Sequence, residues 1–125
     1  KNMAANLDNG VILGALGSTF SNTTDTIFPP TGMVIASIQF LGDNKIAVTT
    51  LIAENPAKFF NTAEAANDFD DGASPAQSPT VDEGGGGDTL ATAAIFAGGT
   101  VIYGRWTSAV FGSHTTTGVI CYFGY

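Results

Sequence analysis

The feature that most constrains the fold is a regular alternation of side chains in the middle of the chain. In Met33–Phe40 the even-numbered positions from Val34 onward are all apolar, and the odd-numbered positions include Ser37 and Gln39. Successive side chains of an extended strand leave opposite faces, so a period of two predicts a half-buried β-strand.

A second run of the same kind follows at once. Residues Ile46–Ile52 are rich in β-branched side chains and alternate in the same way, and the turn sequence Gly42-Asp43-Asn44 joins the two runs. Two such runs joined by Gly, Asp and Asn are typical of an antiparallel hairpin. We therefore expect these two strands to pair with each other.

The C-terminal part repeats this arrangement. A β-pattern resumes near Leu90–Phe96, and two strand-like segments, Thr100–Phe111 and Val119–Tyr125, flank the polar residues 112–118. We expect a second hairpin here. The pattern as a whole predicts an all-β fold, a small antiparallel β-sandwich or β-barrel of about six to eight strands.

The chain is one domain, since 125 residues lie within the usual size of about 100–150. We expect residues 1–27 to form an N-terminal arm or an edge strand. Asn55-Pro56 favours the start of at most one short helix, near Asn55–Ala66, which Phe59 and Phe60 would hold on the sheet. Residues 67–88 carry six of the eleven acidic side chains and four consecutive glycines, and this composition predicts a long loop.

The charge of the chain argues against nucleic acid as a partner, and its hydropathy argues against a membrane-spanning helix. The net charge is −7, and the four basic residues are scattered, whereas a nucleic-acid-binding surface needs clustered Lys and Arg. No apolar run approaches the roughly 20 residues of a membrane-spanning helix. Charged residues make up only 12 % of the chain, about half the usual share, and such a surface suits a subunit that packs against copies of itself.

The sequence offers no catalytic, cofactor-binding or metal-binding residues, and we expect no enzyme. His114 is the only histidine and lies in a polar segment, and with one cysteine it cannot complete a zinc site. Cys121 lies in an apolar run, which favours an inert buried thiol. The acidic sequence from Asp68 to Gly72 lacks the spacing of a calcium loop, and no Lys-Ser/Thr follows the glycines.

Arg105 and Trp106 are the most distinctive neighbours in the chain. Trp106 shares a face with Ile102, with Gly104 between them, and we expect a core anchor. The opposite face carries the candidate interface residues Tyr103, Arg105 and Thr107. Arg105 could stack on Tyr103 or Tyr122, pair with an acid across an interface, or remain a surface charge.

The same region carries a resemblance to a known group of proteins. The segments Thr100–Thr107 and Gly118–Tyr125 resemble the closing hairpin of small virion proteins of marine tailed bacteriophages, including cyanophages. Gly32–Leu41 and the segment from Glu54 to Thr62 fit the same pattern, so the resemblance spans roughly residues 28–125. The acidic, glycine-rich residues 67–88 depart from it.

The resemblance implies a structural role in a virion and supplies no catalytic residues. We expect a capsid decoration or cement protein that binds the outside of the head and stabilises it. Its partners would be copies of itself, as a trimer, and the major capsid protein, at the capsid surface. The alternatives are a tail or fibre component that contacts the host, a carbohydrate-binding module, and an extracellular filament subunit.

The isolation of His114 leads to a first prediction. His114→Ala should leave assembly unchanged and should shift the free energy of unfolding by less than about 0.5 kcal/mol, as surface substitutions usually do. Thermal unfolding and sedimentation of the two proteins would measure both effects. A large loss of either would show that this histidine has structural partners.

Overall fold

A computed structural model describes residues 14–42, 45–56, 58–63, 88–91, 94–112 and 117–125. The expected histidine loop and nearly all of the expected acidic loop lie outside these residues. The described residues form six antiparallel strands, which confirms the all-β prediction. The strands are β1 (Ser18–Ser21), β2 (Val34–Phe40), β3 (Ile46–Ala53), β4 (Ile95–Phe96), β5 (Val101–Phe111) and β6 (Val119–Gly124).

The strands lie in the order β1-β6-β2-β5-β3-β4, and both predicted hairpins are wrong. Strand β2 pairs with β6 and β5 and does not pair with β3. Strand β5 pairs with β2 and β3, so β2 separates it from β6. One strand therefore lies between the two members of each expected hairpin: β5 lies between β2 and β3, and β2 lies between β5 and β6.

The length of β5 explains this arrangement. Its eleven residues exceed what either neighbour covers: β2 pairs with its first half, from Val101 to Trp106, and β3 pairs with its second half, from Trp106 to Phe111. Bulges in β2 and β3 bend both pairings. They also shift the alternation, so that Ile35, Leu51 and Ala53 face the core in place of Ala36, Thr50 and Ile52. Alternation in the sequence therefore predicts neither a bulge nor which strand lies at each edge.

The sheet curls strongly, and the curl encloses the core. The rings of Phe40 in β2 and Phe96 in β4 stack with centroids 4.9 Å apart. In a flat sheet these strands, three places apart, would be about 14 Å apart. At the same end, Gly99 N donates to Phe40 O at 2.7 Å, which extends the pairing of β2 with β5 by one more bond. In the described residues one curled sheet, rather than two stacked sheets, therefore surrounds the buried side chains.

Trp106 lies fully buried on the inner face of this curl. Its ring covers Gly104 so closely that a Cβ added to this glycine would lie 2.5 Å from the indole. The indole N–H donates to Phe60 O at 3.0 Å, and the two rings meet edge to face at 5.4 Å. The structure thus accounts for the glycine two residues before the tryptophan: only the absence of a side chain admits the ring.

The segment of residues 55–63 covers the indole. The described part of the expected helix contains one helix-like turn, in which Lys58 N and Phe59 N both donate to Asn55 O. Asn61 is fully buried, and its side-chain amide donates to Phe59 O at 2.8 Å. Thr62 bonds to the backbone of Leu51, so this segment is fixed to β3 as well as to Trp106.

Truncation of Trp106 should therefore cost more stability than any exposed change in the same strand. We expect Trp106→Ala to lower the free energy of unfolding by about 3–5 kcal/mol, because it leaves a large cavity. Trp106→Phe should cost less, since it keeps a ring but leaves Phe60 O without its donor. Urea unfolding would measure both, with the exposed Tyr103→Ala as the control, expected to change stability by less than about 0.5 kcal/mol. Equal costs for Trp106→Ala and Tyr103→Ala would contradict this packing.

Candidate docking surface

The convex face of the sheet carries a continuous set of uncharged side chains. Paired residues of neighbouring strands point to the same side, so the strand register gives two rows across the sheet. One row runs from β5 through β2 to β6, and the second runs beside it to β1. We call these side chains the outer patch: Tyr103, Ser37 and Tyr122 in the first row, and Val101, Gln39, Ile120 and Phe20 in the second.

Several members of the outer patch are open to solvent although they are apolar. Tyr103 is 68 % exposed, Phe20 56 % and Val101 37 %. The hydroxyl of Tyr122 donates to Gln39 Oε1 at 3.1 Å, so these two polar groups satisfy each other. The outer patch is therefore a convex aromatic and aliphatic surface with few unmet hydrogen-bonding groups, and it lies on four hydrogen-bonded strands.

Arg105 borders the outer patch and is paired within the chain. Its Nε donates to Glu54 Oε1 at 2.6 Å and its Nη2 to Glu54 Oε2 at 3.2 Å. Its Nη1 donates to the Tyr125 carbonyl at 2.9 Å. Of the roles considered from sequence, an ion pair is the one observed, but the acid belongs to the same chain. The guanidinium therefore presents a neutralised border to the patch.

The structure places the sequence-predicted residues on the two expected faces of β5. Tyr103, Arg105 and Thr107 lie along the outer face, and Thr107 donates its hydroxyl to Ile52 O at 3.3 Å. Trp106 lies on the inner face. The sequence reasoning missed the patch members on β1 and β6. The alternation of Ser18–Ser21 could have indicated Phe20, whereas nothing in the sequence indicated that Glu54 meets Arg105.

A second surface feature lies beside β1. An open groove of about 570 Å³ runs between this strand and residues 22–30, with Phe123 at its base. Phe28 borders it and is 68 % exposed. Hydroxyl and amide side chains line most of the rest, and Asp25 is the one charged residue among those that line it.

The described residues contain one cysteine and no cluster of metal-ligating side chains. Cys121 is buried, and loss of contact with water raises the pKa of its thiol to about 12, so it remains protonated at neutral pH. No group of three or more metal-ligating side chains occurs within the described ranges. The same ranges contain no helix with the length and hydropathy needed to cross a membrane.

Comparisons with known proteins add no assignment. No protein-family model, curated protein or solved structure matches this chain significantly. The features that bear on function are therefore the outer patch, the paired Arg105 and the groove.

The Arg105–Glu54 pair should make stability depend on pH. The hydrogen bond from Arg105 holds the pKa of Glu54 below its ordinary value of 4.5. A carboxylate with a lowered native pKa adds stability above its unfolded pKa and loses it as the pH falls through the native one. Both side chains are partly exposed, so we expect Glu54→Gln to cost only about 0.5–1 kcal/mol at neutral pH.

Urea unfolding of wild type and Glu54→Gln from neutral to acidic pH would measure this cost. The difference should vanish once the pH lies below the native pKa of Glu54. In an Arg105→Gln background the same change should have little effect at any pH. A cost that stays constant with pH would show that Glu54 acts through packing and not through its charge.

Proposed function

We propose that this protein is a structural component of a bacteriophage virion that decorates the outside of the capsid and stabilises it. Its partners are the major capsid protein and copies of itself. The observation that carries the proposal is the outer patch, an exposed aromatic surface without a charged side chain in a chain of net charge −7. The resemblance of the segments around β5 and β6 to phage virion proteins supports the same role.

The chemistry of the outer patch suits docking on another protein. Tyrosine is enriched at interface hot spots, because its ring buries a large area while its hydroxyl keeps a polar partner. Tyr103 lies at one end of the patch and Phe20 at the other, so both can act as anchors. The sheet beneath them is rigid, and little conformational entropy is lost when a rigid surface binds.

The size of the outer patch fits a repeated contact better than a single strong one. Four strands at about 4.8 Å spacing give a width of roughly 15–20 Å, and two rows about 7 Å apart along the strands give an area of roughly 200 Å². This is smaller than the usual area of about 800 Å² per partner of a stable complex. On a capsid the same contact is repeated at many sites, and linkage among copies multiplies weak individual affinities. A decoration protein therefore needs no larger patch than this one.

Exposed Tyr103 also favours one second candidate, a module that binds neutral glycans. A ring open on one face can stack on a sugar, and Gln39 with Tyr122 offers hydrogen bonds beside it. This candidate predicts binding of isolated protein to glycans, whereas decoration predicts binding to preformed capsids at a fixed copy number.

Capsids of the parent phage that lack this protein would test the proposal. We expect Tyr103→Glu to reduce co-sedimentation with such capsids at least about tenfold, because it places a charge at an anchor residue of a dry contact. Thr49→Glu, an exposed change of equal charge on β3, serves as the control and should bind like wild type. Equal binding by the two variants would contradict docking through the outer patch, and no binding by wild type would contradict decoration altogether.

A further inference from the structure

Strand β1 forms one edge of the sheet, and its backbone shows which groups face outward. Phe123 N donates to Gly17 O at 3.0 Å, so these opposite residues form a hydrogen-bonded pair. In an antiparallel ladder such pairs alternate, which directs the backbone of Thr19 and Ser21 toward β6. The N–H and C=O groups of Ser18 and Phe20 therefore point away from the sheet.

These outward groups have no partner within the described residues. No hydrogen bond joins the backbone of Ser18 or Phe20 to the loop of residues 22–30, which is separated from β1 by the groove. An open strand edge is a template for another strand, and proteins that leave it open usually protect it with charges, proline or a bulge. Strand β1, with the sequence Ser-Thr-Phe-Ser, has none of these protections.

We propose that β1 pairs antiparallel with β1 of a second copy across a two-fold axis, so that the two sheets become continuous. Thr19 of each copy lies at the axis, and Ser18 of one copy lies opposite Phe20 of the other. The outward N–H and C=O groups of both strands then form four backbone hydrogen bonds. This deepens the proposed function, on which it rests, by naming the surface through which neighbouring copies join.

Two observations favour a second copy over an unrelated strand. Copies of net charge −7 repel each other over most of their surface, but residues 14–24 contain no charged side chain, and Asp25 is the one charged residue that lines the groove beside β1. The strand is also complementary to itself, because small Ser18 meets large Phe20 on both sides of the axis. In this register, Phe20 of the second copy extends the row of Tyr103, Ser37 and Tyr122 on the outer patch.

The contact is small, so the two-fold pair is weak in free solution and becomes strong only on an array. Four hydrogen bonds and one phenylalanine from each copy cover less than the roughly 800 Å² per partner of a stable interface. The symmetry gives a dimer, in place of the trimer expected from the sequence. Closed two-fold pairing also covers the β1 edge of both copies, so this contact does not extend beyond two molecules.

A cross-link at the axis tests the register directly. In the proposed ladder the two Thr19 residues form a non-hydrogen-bonded pair with Cα atoms about 4.5 Å apart, within the range that a disulfide bridges. Thr19→Cys should therefore form a disulfide-linked dimer under mild oxidation, visible on a non-reducing gel. The exposed Thr49→Cys is the matched control and should stay monomeric.

A charged side chain at the β1 edge tests the same contact without a covalent cross-link. Ser18→Lys should weaken self-association about tenfold or more in sedimentation equilibrium, since lysine on an edge strand opposes pairing. Thr49→Lys changes the net charge equally and should associate like wild type. A trimer in sedimentation, an absence of Thr19→Cys cross-linking at about 1 mM protein, or equal cross-linking of Thr49→Cys would overturn the proposal.

These measurements use the free protein, so they are independent of capsid binding. Thr19→Cys dimers from a protein that fails to bind capsids would support the edge contact and contradict the decoration role. If the protein binds capsids but Thr19→Cys never forms a cross-linked dimer, the decoration role is supported and the edge contact is contradicted.

Discussion

The packing of one indole holds this sheet together. Trp106 lies at the middle of β5, where the pairing with β2 ends and the pairing with β3 begins. It lies opposite Ile35 of β2 and opposite Ala53 of β3. Its ring lies over Gly104, and its N–H holds the segment of residues 55–63 through Phe60 O. Both sheet neighbours of β5 and the covering segment therefore meet at a single buried side chain.

This arrangement also determines what the other face of β5 presents. Because Trp106 must point inward, its sequence neighbours Arg105 and Thr107 must point outward, together with Tyr103. The curl that brings Phe40 onto Phe96 makes that outward face convex and open. A flat sheet would need a second layer to cover its core, and that layer could hide one of the faces. Here the curl and the short covering segment around Phe60 close the core on the inner side, and the outer patch remains uncovered within the described residues.

The sequence predicted the two faces of β5 well, but it predicted those of β2 and β3 only in part and strand partners poorly. The bulges in β2 and β3 shift the alternation, so that Ile35, Leu51 and Ala53 enter the core although the pattern places them on the opposite face. The alternation in β2, β3 and β5 is a local property, and it was sufficient to predict the all-β fold and the two faces around Trp106. Strand pairing depends instead on where an eleven-residue strand finds backbone partners along its whole length. The turn sequence after Gly42 predicts a hairpin between β2 and β3, whereas β5 lies between these two strands. Glu54 and Arg105 are 51 positions apart in the sequence, so the local sequence pattern could not predict their ion pair.

The central claim is that the convex face of the sheet is the surface by which this protein docks. The most direct measurement is the orientation of the molecule in an electron cryomicroscopy map of a virion that carries it. We expect Tyr103 and Val101 to lie against the capsid surface, with the β1 edge turned toward a neighbouring copy. A map in which the outer patch faces solvent while another surface contacts the capsid would contradict it.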